Sequence, residues 1–575
     1  MKRIVECVPN ISEGRDRSVI DAVLAEVKAV PGAVLLDADP GPDTNRTVIT
    51  FAGEPGPVME AAFRVIKRAS ELIDMTKHKG AHPRMGATDV CPFVPVSGVT
   101  MDDCVSYAKE VGERAGELGI PIYLYEYAAT RPERRNLSDI RKGEYEALPE
   151  KLGTKEWEPD FGPNRFNPSA GATAVGARNF LIAFNINFNA RDEKRVHRIA
   201  KMIRESGCPA RDEDGRLILD ENGAQVITPG LFQNLKAVGW WLAERRIAQL
   251  SMNFTNHKTT QLHDVYVKVM ELAAEQGLIV TGSELVGLVP LDAMVAAGRF
   301  FAARQKRCEG MPISRLIRLA VHSMGMEEFG PFDPKKKIIE YAIDDTPRPL
   351  AALSIRDFAD ELAGDSPAPG GGSVAALAGA MGAGLAAMVP NLTIGKRQFL
   401  DVKDELNASS IEAQDLKDRL LDAIDDDTAA FNRLLDAFRM PQGTPEEVEE
   451  RKAAIGAAIR EATMVPLSTL KHAARAVELA GIAARKGNPN ALSDGGVGAQ
   501  VSLAAAEGAY YNVLINLRSI KSKKFRAEVT AEAEESIARA RKAAREIAEY
   551  VESSLKSEIK AAAKSAGEDE DEDEA

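Results

Sequence analysis

Near residue 353 the chain changes character, and that change limits its possible folds more than any single motif does. Before it, short apolar runs alternate with segments of helical spacing. "GAVLLDAD" (32–39) and "TVITFAGE" (47–54) read as strands divided by a Gly-Pro-Asp turn. "PVMEAAFRVIKRASELI" (57–73) has the apolar spacing of a helix. "NFLIAFNINFNA" (179–190) repeats the strand pattern and "DEKRVHRIAKMIRES" (192–206) the helical one. After residue 353, alanine rises sharply and strand signals stop. The expected architecture is therefore multidomain: an N-terminal α/β (α+β) part of two subdomains, 1–180 and 181–327, and a C-terminal all-α helical bundle, 353–566. A proline-rich linker, 328–352, should join them, with "KKIIEYAI" as a short element inside it, and residues 567–575 should form a disordered acidic tail.

Charge and cysteine usage narrow the class. Of a net charge of −13, seven charges sit in "EDEDEDE" (568–574), a balance that argues against nucleic-acid binding. The five cysteines lack CxxC spacing, as expected of a reduced cytoplasmic protein with no zinc ribbon. The N-terminus turns polar too soon for a signal peptide, and the most apolar run, 374–389, is shorter than a membrane span. Basic clusters such as "RSIKSKKFR" (518–526) suit a solvated face or a small anion.

Several stretches carry candidate chemistry. In "HKGAHPRMGATD" (78–89) two histidines stand four apart, as in a zinc-binding helix, but Gly80 lies between them and Pro83 follows. No Glu follows His78 and no third ligand is local, so a metal is disfavoured. The residues leave two readings open: His82 as a proton-transfer group beside Arg84 and Asp89, or a structural loop. "DADPGPDTNRT" (37–47) sets Asp39, Asn45 and Arg46 around turns, and "FGPNRFNPSAGATAVGARNF" (161–180) is dense in Gly and Pro. "SPAPGGGSV" (366–374) leads into a helix, and it reads either as a flexible linker or as a turn whose Gly371, Gly372 and Ser373 offer free N–H groups to an anion. At 100° per residue, Leu420, Ile424, Phe431, Leu434 and Phe438 form one apolar stripe that also contains Asp427, while Asp425 and Asp426 point away. A carboxylate on such a stripe is either a satisfied structural acid or a catalytic one with a raised pKa. "GNPNALSDGG" (487–496) is a polar break holding Asn488 and Asp494.

Together, "CVPNISEG", "DPGPDTNRTV", "HKGAHPRMGATDVCPFVP", the 161–180 loop, "SPAPGGGSVAALAGAMGAGLAAMV", "DDDTAAF" and "GAYYNVLINLR" resemble the formimidoyltransferase-cyclodeaminase family over nearly the whole chain. The resemblance implies a cytoplasmic, bifunctional folate enzyme of histidine degradation. Its first half would move a formimino group from N-formimino-L-glutamate to N5 of tetrahydrofolate, releasing glutamate. Its second half would close the product to 5,10-methenyltetrahydrofolate with loss of ammonia. It further implies a polyglutamylated tetrahydrofolate co-substrate, no metal, no membrane or nucleic-acid partner, and a homo-oligomer. His82 then corresponds to the transferase acid–base and Asp427 to the cyclodeaminase acid. The stretch Gly162, Pro163, Asn164, Arg165, Phe166, Asn167, Pro168, Ser169, Ala170, Gly171 and Ala172 corresponds to a folate-binding loop. Within that frame Asp39 is expected to hold the pterin or orient His82, and Arg46 or Arg84 to hold a substrate carboxylate. Gly371, Gly372, Ser373 and Asp494 are the further candidates for folate binding. The alternatives are a transferase whose second half serves only in assembly, and a non-catalytic folate binder.

Overall fold

The computed structural model describes residues 3–42, 44–80, 82–243, 245–344 and 346–573, with the side chains of 565–573 excepted. Two compact units emerge, one of residues 1–296 and 321–345, the other of residues 297–320 and 346–575.

The first unit opens with strands β1 (Ile4–Cys7) and β2 (Asn10–Ile11), helix α1 (Arg17–Lys28), the hairpin β3 (Ala33–Gly41) and β4 (Arg46–Gly53), and helix α2 (Pro55–Leu72). Strand β5 (Thr88–Ser97), helix α3 (Met101–Gly116) and strands β6 (Ile122–Glu126) and β7 (Thr173–Ala177) follow. The strands form one mixed sheet in the order β1-β4-β2-β5-β7-β6, with β3 on the far side of β4. Period-two alternation decides its faces. On β1, Val5 and Cys7 enter a core with Phe51, Phe93 and the apolar faces of the three helices. Glu6 points the other way.

Strand β8 (Ile182–Phe188) begins the second subdomain, followed by α4 (Glu193–Ile203), β9 (Leu235–Leu242), β10 (Ile247–Phe254), α5 (Leu262–Glu275) and β11 (Val280–Val286). Its antiparallel sheet runs β9-β10-β8-β11. The expected linker is partly built into this subdomain. One-turn helices at Pro334–Lys337 and Ile339–Ala342 dock there, with Ile338 bridging to Val289 and Glu340 accepting the Leu291 amide at 2.8 Å.

The second unit is helical. Residues 297–320 belong to it, contrary to the expected boundary at 327. Their anchor is Cys308, which packs with Ile394 and Leu406, while Asn407 accepts the Glu309 amide at 2.8 Å. The bundle proper comprises α6 (Gly371–Thr393), α7 (Lys403–Arg439), α8 (Pro445–Lys486), α9 (Leu492–Leu517) and α10 (Lys523–Asp573). Helix α6 has 23 residues, long and apolar enough to cross a bilayer, but most of it is buried against α7, α8 and α9. Alanines at 383, 387, 476, 480 and 505 are fully buried, which lets the helix axes approach closely. Two expectations shift here. The break at 487–496 is shorter than its composition suggests, because α9 starts at Leu492 and takes Asp494 into its first turn. Helix α10 runs to Asp573, so the described part of the expected disordered tail continues a helix whose alanine-rich approach favours propagation.

Candidate functional site

In the first unit the β3–β4 turn supports the histidine loop. Asn45 sits at φ 48°, a left-handed conformation that asparagine tolerates. Its side chain accepts the Gly14 amide at 3.0 Å and donates to the Lys79 carbonyl at 3.1 Å. Gly80 lies so close to Thr44 that any β-carbon there would overlap the Thr44 carbonyl. Residues 78–80 are thus held on the hairpin that carries Asp39 and Arg46.

His78 is committed on both ring nitrogens, Nε2 to the Asn45 carbonyl at 2.9 Å and Nδ1 to Arg84 Nε at 3.2 Å. His82 differs. Its Nδ1 meets the Pro83 carbonyl at 2.7 Å, which requires the proton on Nδ1 and leaves the Nε2 lone pair outward. That lone pair accepts from the Arg46 guanidinium. Burial, then the Arg46 charge, holds the His82 imidazolium below the ordinary histidine range, so the ring is neutral at pH 7. A neutral imidazole with one nitrogen oriented and the other basic is equipped to take a proton.

Arg46 marks where this loop meets a cleft. It lines a cavity of about 410 Å³ together with Arg141, Arg178, Lys236 and Glu126. It also lines a second, of about 290 Å³, with Glu6, Asp37, Asp39 and Arg178. The two share Val8, Asn10, Arg46, Arg178 and Leu181 and so form adjoining lobes of one cleft between the subdomain sheets. One lobe is mainly cationic and the other is rich in carboxylates.

Arg84 is occupied: it binds Glu146 through both terminal nitrogens, at 2.8 and 2.7 Å, and Glu144 at 2.9 Å, leaving little to hold a substrate carboxylate. Asp39 lines the carboxylate-rich lobe, yet the group that orients His82 is the Pro83 carbonyl. The loop from Gly162 to Ala172 lines neither lobe. Its two asparagines are turned onto the chain: Asn167 donates to the Gly119 carbonyl at 3.0 Å, and Asn164 accepts the Gly153 amide at 2.8 Å. Phe166 stacks on Tyr145, whose hydroxyl donates to the Pro168 carbonyl at 2.6 Å. Glu6, Arg141 and Lys236 escape sequence reasoning because none belongs to a conspicuous motif, and Arg178, near the end of the 161–180 stretch, because nothing local marks it as a cleft residue.

In the helical unit Asp427 lies where helical phase puts it, between fully packed Leu420 and Ile424 and the buried Ala430. The stripe opens beyond that point, since Phe438 is 48% exposed and Ala437 takes the buried position. The Asp427 carboxylate rests on the first turn of α6, against the Ser373 amide, and a β-carbon at Gly372 would overlap it. The glycine-rich turn expected to take an anion is therefore occupied by the chain's own Asp427 carboxyl group. Burial raises the Asp427 pKa, and the Ser373 amide offsets part of the rise. Ser373 Oγ turns away, donating to the Ile424 carbonyl at 2.8 Å beside Thr428. Asn512 of α9 reaches the same turn next to Gly371. Asp425 is structural: it accepts the Leu350 and Ala351 amides at 2.9 and 3.1 Å. Asp494 is not part of this cluster. Helices α6 and α9 run antiparallel, and Asp494 precedes Asn512 by 18 residues, about 27 Å of helix.

This packing predicts that Gly372→Ala should disable whatever chemistry Asp427 performs by at least about tenfold, although alanine is the better helix former by about 1 kcal/mol. Assaying each half separately checks it, and unchanged activity would mean that Asp427 can move aside freely.

Models of the formiminotransferase N-terminal subdomain, the formiminotransferase domain and the formiminotransferase-cyclodeaminase region match residues 4–178, 183–344 and 354–535. The formimidoyltransferase-cyclodeaminase of Rattus norvegicus is 45% identical over 92% of this chain and 94% of its own length. The chain belongs to the formimidoyltransferase-cyclodeaminase family. Each half of this family architecture also has separate relatives. A glutamate formimidoyltransferase of Streptococcus pyogenes serotype M1 is 45% identical over 52% of the chain and 94% of its own length. A methenyltetrahydrofolate cyclohydrolase of Methylorubrum extorquens is 38% identical over 32% of the chain and 90% of its own length. His82 and the cleft lined by its partner Arg46 thus lie in the formiminotransferase half and Asp427 in the cyclodeaminase half.

Proposed function

We propose that the protein is a bifunctional folate enzyme that takes the formimino group of N-formimino-L-glutamate onto tetrahydrofolate and then closes it to 5,10-methenyltetrahydrofolate, as part of histidine degradation. The observation that carries the first step is the fixed tautomer of His82. N5 of tetrahydrofolate attacks the amidine carbon, and its proton passes to His82 Nε2 as Arg46 gives up that lone pair. The imidazolium then returns the proton to the glutamate nitrogen, which leaves as an amine. One proton moves and one histidine suffices. Arg46, freed from the ring, joins Arg178 and Lys236 in holding carboxylates.

In the second step N10 attacks the same carbon. The departing nitrogen needs two protons to leave as ammonia, one from N10 and one from an acid. Asp427, its pKa raised by burial, is that acid, and as a carboxylate it then faces the methenyl cation. This placement of an acid in the second half favours two activities over an assembly-only domain.

Three finer readings belong to the same proposal. The cationic lobe supports a co-substrate with several glutamate carboxylates. Five free thiols, Cys7, Cys91, Cys104, Cys208 and Cys308, with Cys7 and Cys91 unbonded although their sulfurs lie 3.5 Å apart, support a reducing cytoplasmic setting. Exposed Leu217, Leu219 and Ile227 near the 208–228 hairpin support self-association into a homo-oligomer, which light scattering tests.

The pH profile tests the transferase assignment. Protonated His82 cannot accept a proton, so kcat/KM should rise with pH through the His82 pKa. Because that pKa is depressed, the acid limb should lie below pH of about 6.5, the ordinary histidine value. An acid limb above pH 7 would remove His82 as the base.

A further inference from the structure

Glu6 is 4% exposed, sits on a central strand paired on both sides, and lines the lobe that also holds Asp37 and Asp39. Among the described residues no group donates a hydrogen bond to its carboxylate. Burial pushes it up to about 7, Arg178 pulls it down and Glu340 adds to the rise. A carboxylate so nearly buried and without donors from the chain is costly unless donors reach it from the cavity it lines.

The division of charge between the lobes says which donors. The transferase must seat two kinds of group around the carbon being moved. Carboxylates of the donor and of the folate need cations; Arg178 and Lys236 line the other lobe, and Arg141 lines it too while one of its terminal nitrogens holds Asp89. The pterin instead presents a 2-amino group and an adjacent ring N–H, a parallel pair of donors that a carboxylate grips with both oxygens. We propose that Glu6 binds the 2-amino and N3–H edge of the pterin in the carboxylate-rich lobe, and so sets the enzyme's selectivity for tetrahydrofolate as acceptor. The assignment rests on the transferase reading above. Arg46 lines both lobes, so the acceptor nitrogen and the donor's amidine carbon meet beside His82. Glu6 positions the acceptor and takes no proton from it.

The test is steady-state transfer by the full-length protein, with tetrahydrofolate and with its 2-desamino-2-methyl analogue, which lacks the amino donor. Losing a hydrogen bond to a charged group costs roughly 10- to 100-fold. In the wild type the analogue should show a KM raised by about that factor. Glu6→Gln should raise the KM for tetrahydrofolate by about as much while leaving the KM for formiminoglutamate within about twofold. In that variant the analogue and tetrahydrofolate should become nearly equivalent, an outcome that a merely structural Glu6 would not produce. If Glu6→Gln folds poorly, the two acceptors are compared in Glu6→Asp, where the preference for tetrahydrofolate should shrink. An unchanged preference in either variant overturns the assignment. A raised KM for formiminoglutamate alone also overturns it, by placing Glu6 on the donor's amidine. A wild type with no transfer to tetrahydrofolate at all would instead refute the transferase reading, and cyclodeaminase activity in the same preparation shows that the protein is folded.

Discussion

His82→Ala should reduce formimino transfer by about 100- to 10,000-fold, the usual worth of a general acid–base, while cyclodeamination of supplied 5-formimidoyltetrahydrofolate stays near the wild-type rate. The selectivity follows from the two units, each with its own core. The loss should fall on kcat and kcat/KM together, because a proton shuttle acts in the transition state and contributes little to ground-state binding. His82 is partly exposed and contributes little packing, so the melting temperature should hardly move. His78→Ala gives the contrast. That ring joins the Asn45 carbonyl to Arg84, so its removal should loosen the loop, with a lower melting temperature and a smaller loss of rate. Equal losses of both activities in His82→Ala would show that the halves do not work independently. A wild-type transfer rate would exclude the histidine from the chemistry.

Asp427→Asn should stop the cyclodeaminase by a comparable factor and leave the transferase intact. Its effect on stability separates a catalytic acid from a structural one. A structural aspartate bound to a buried base would destabilise the fold by about 3–5 kcal/mol when neutralised. Asp427 faces an amide and a glycine, and its pKa is raised, burial being the main cause. A carboxyl with a higher pKa in the folded state binds its proton more tightly there than in the unfolded chain. Its ionisation therefore costs stability as pH climbs past the ordinary carboxylate value of about 3.9, and the cost levels off above the folded pKa. Asparagine carries no such cost. The variant should melt at the same or a higher temperature than the wild type at pH 7, with a smaller gain near pH 4. Asp422→Asn is the control, since it removes only a surface pair with Arg348, worth at most about 1 kcal/mol. A full cyclisation rate in Asp427→Asn would remove that residue from the mechanism. A lower melting temperature would make it a structural acid.

Local pattern was enough to reach the division into a sheet-containing half and a helical half, the β3–β4 hairpin, and the phase of Asp427 on its helix. These features have periods of two or 3.6 residues, and a few consecutive side chains declare them. The motif around His82 was equally legible, as was the reason that Gly80 and Pro83 keep it out of a helix. What a side chain meets across the chain was not. Arg84 seemed free to hold a substrate until folding brought Glu144 and Glu146 to it from 60 and 62 residues away. Asp494 is polar and lies in a glycine-rich stretch, like the active-site candidates, yet antiparallel packing leaves it at the other end of α9. Strand alternation alone tells that Glu6 and Val5 face opposite ways. That Val5 faces helices and Glu6 a ligand-sized lobe depends on a second sheet whose strands begin at residue 182. Secondary structure is a property of neighbours in sequence. Partners, burial and charge at a site arise only when distant segments pack, and those determine which of the candidate residues can do chemistry.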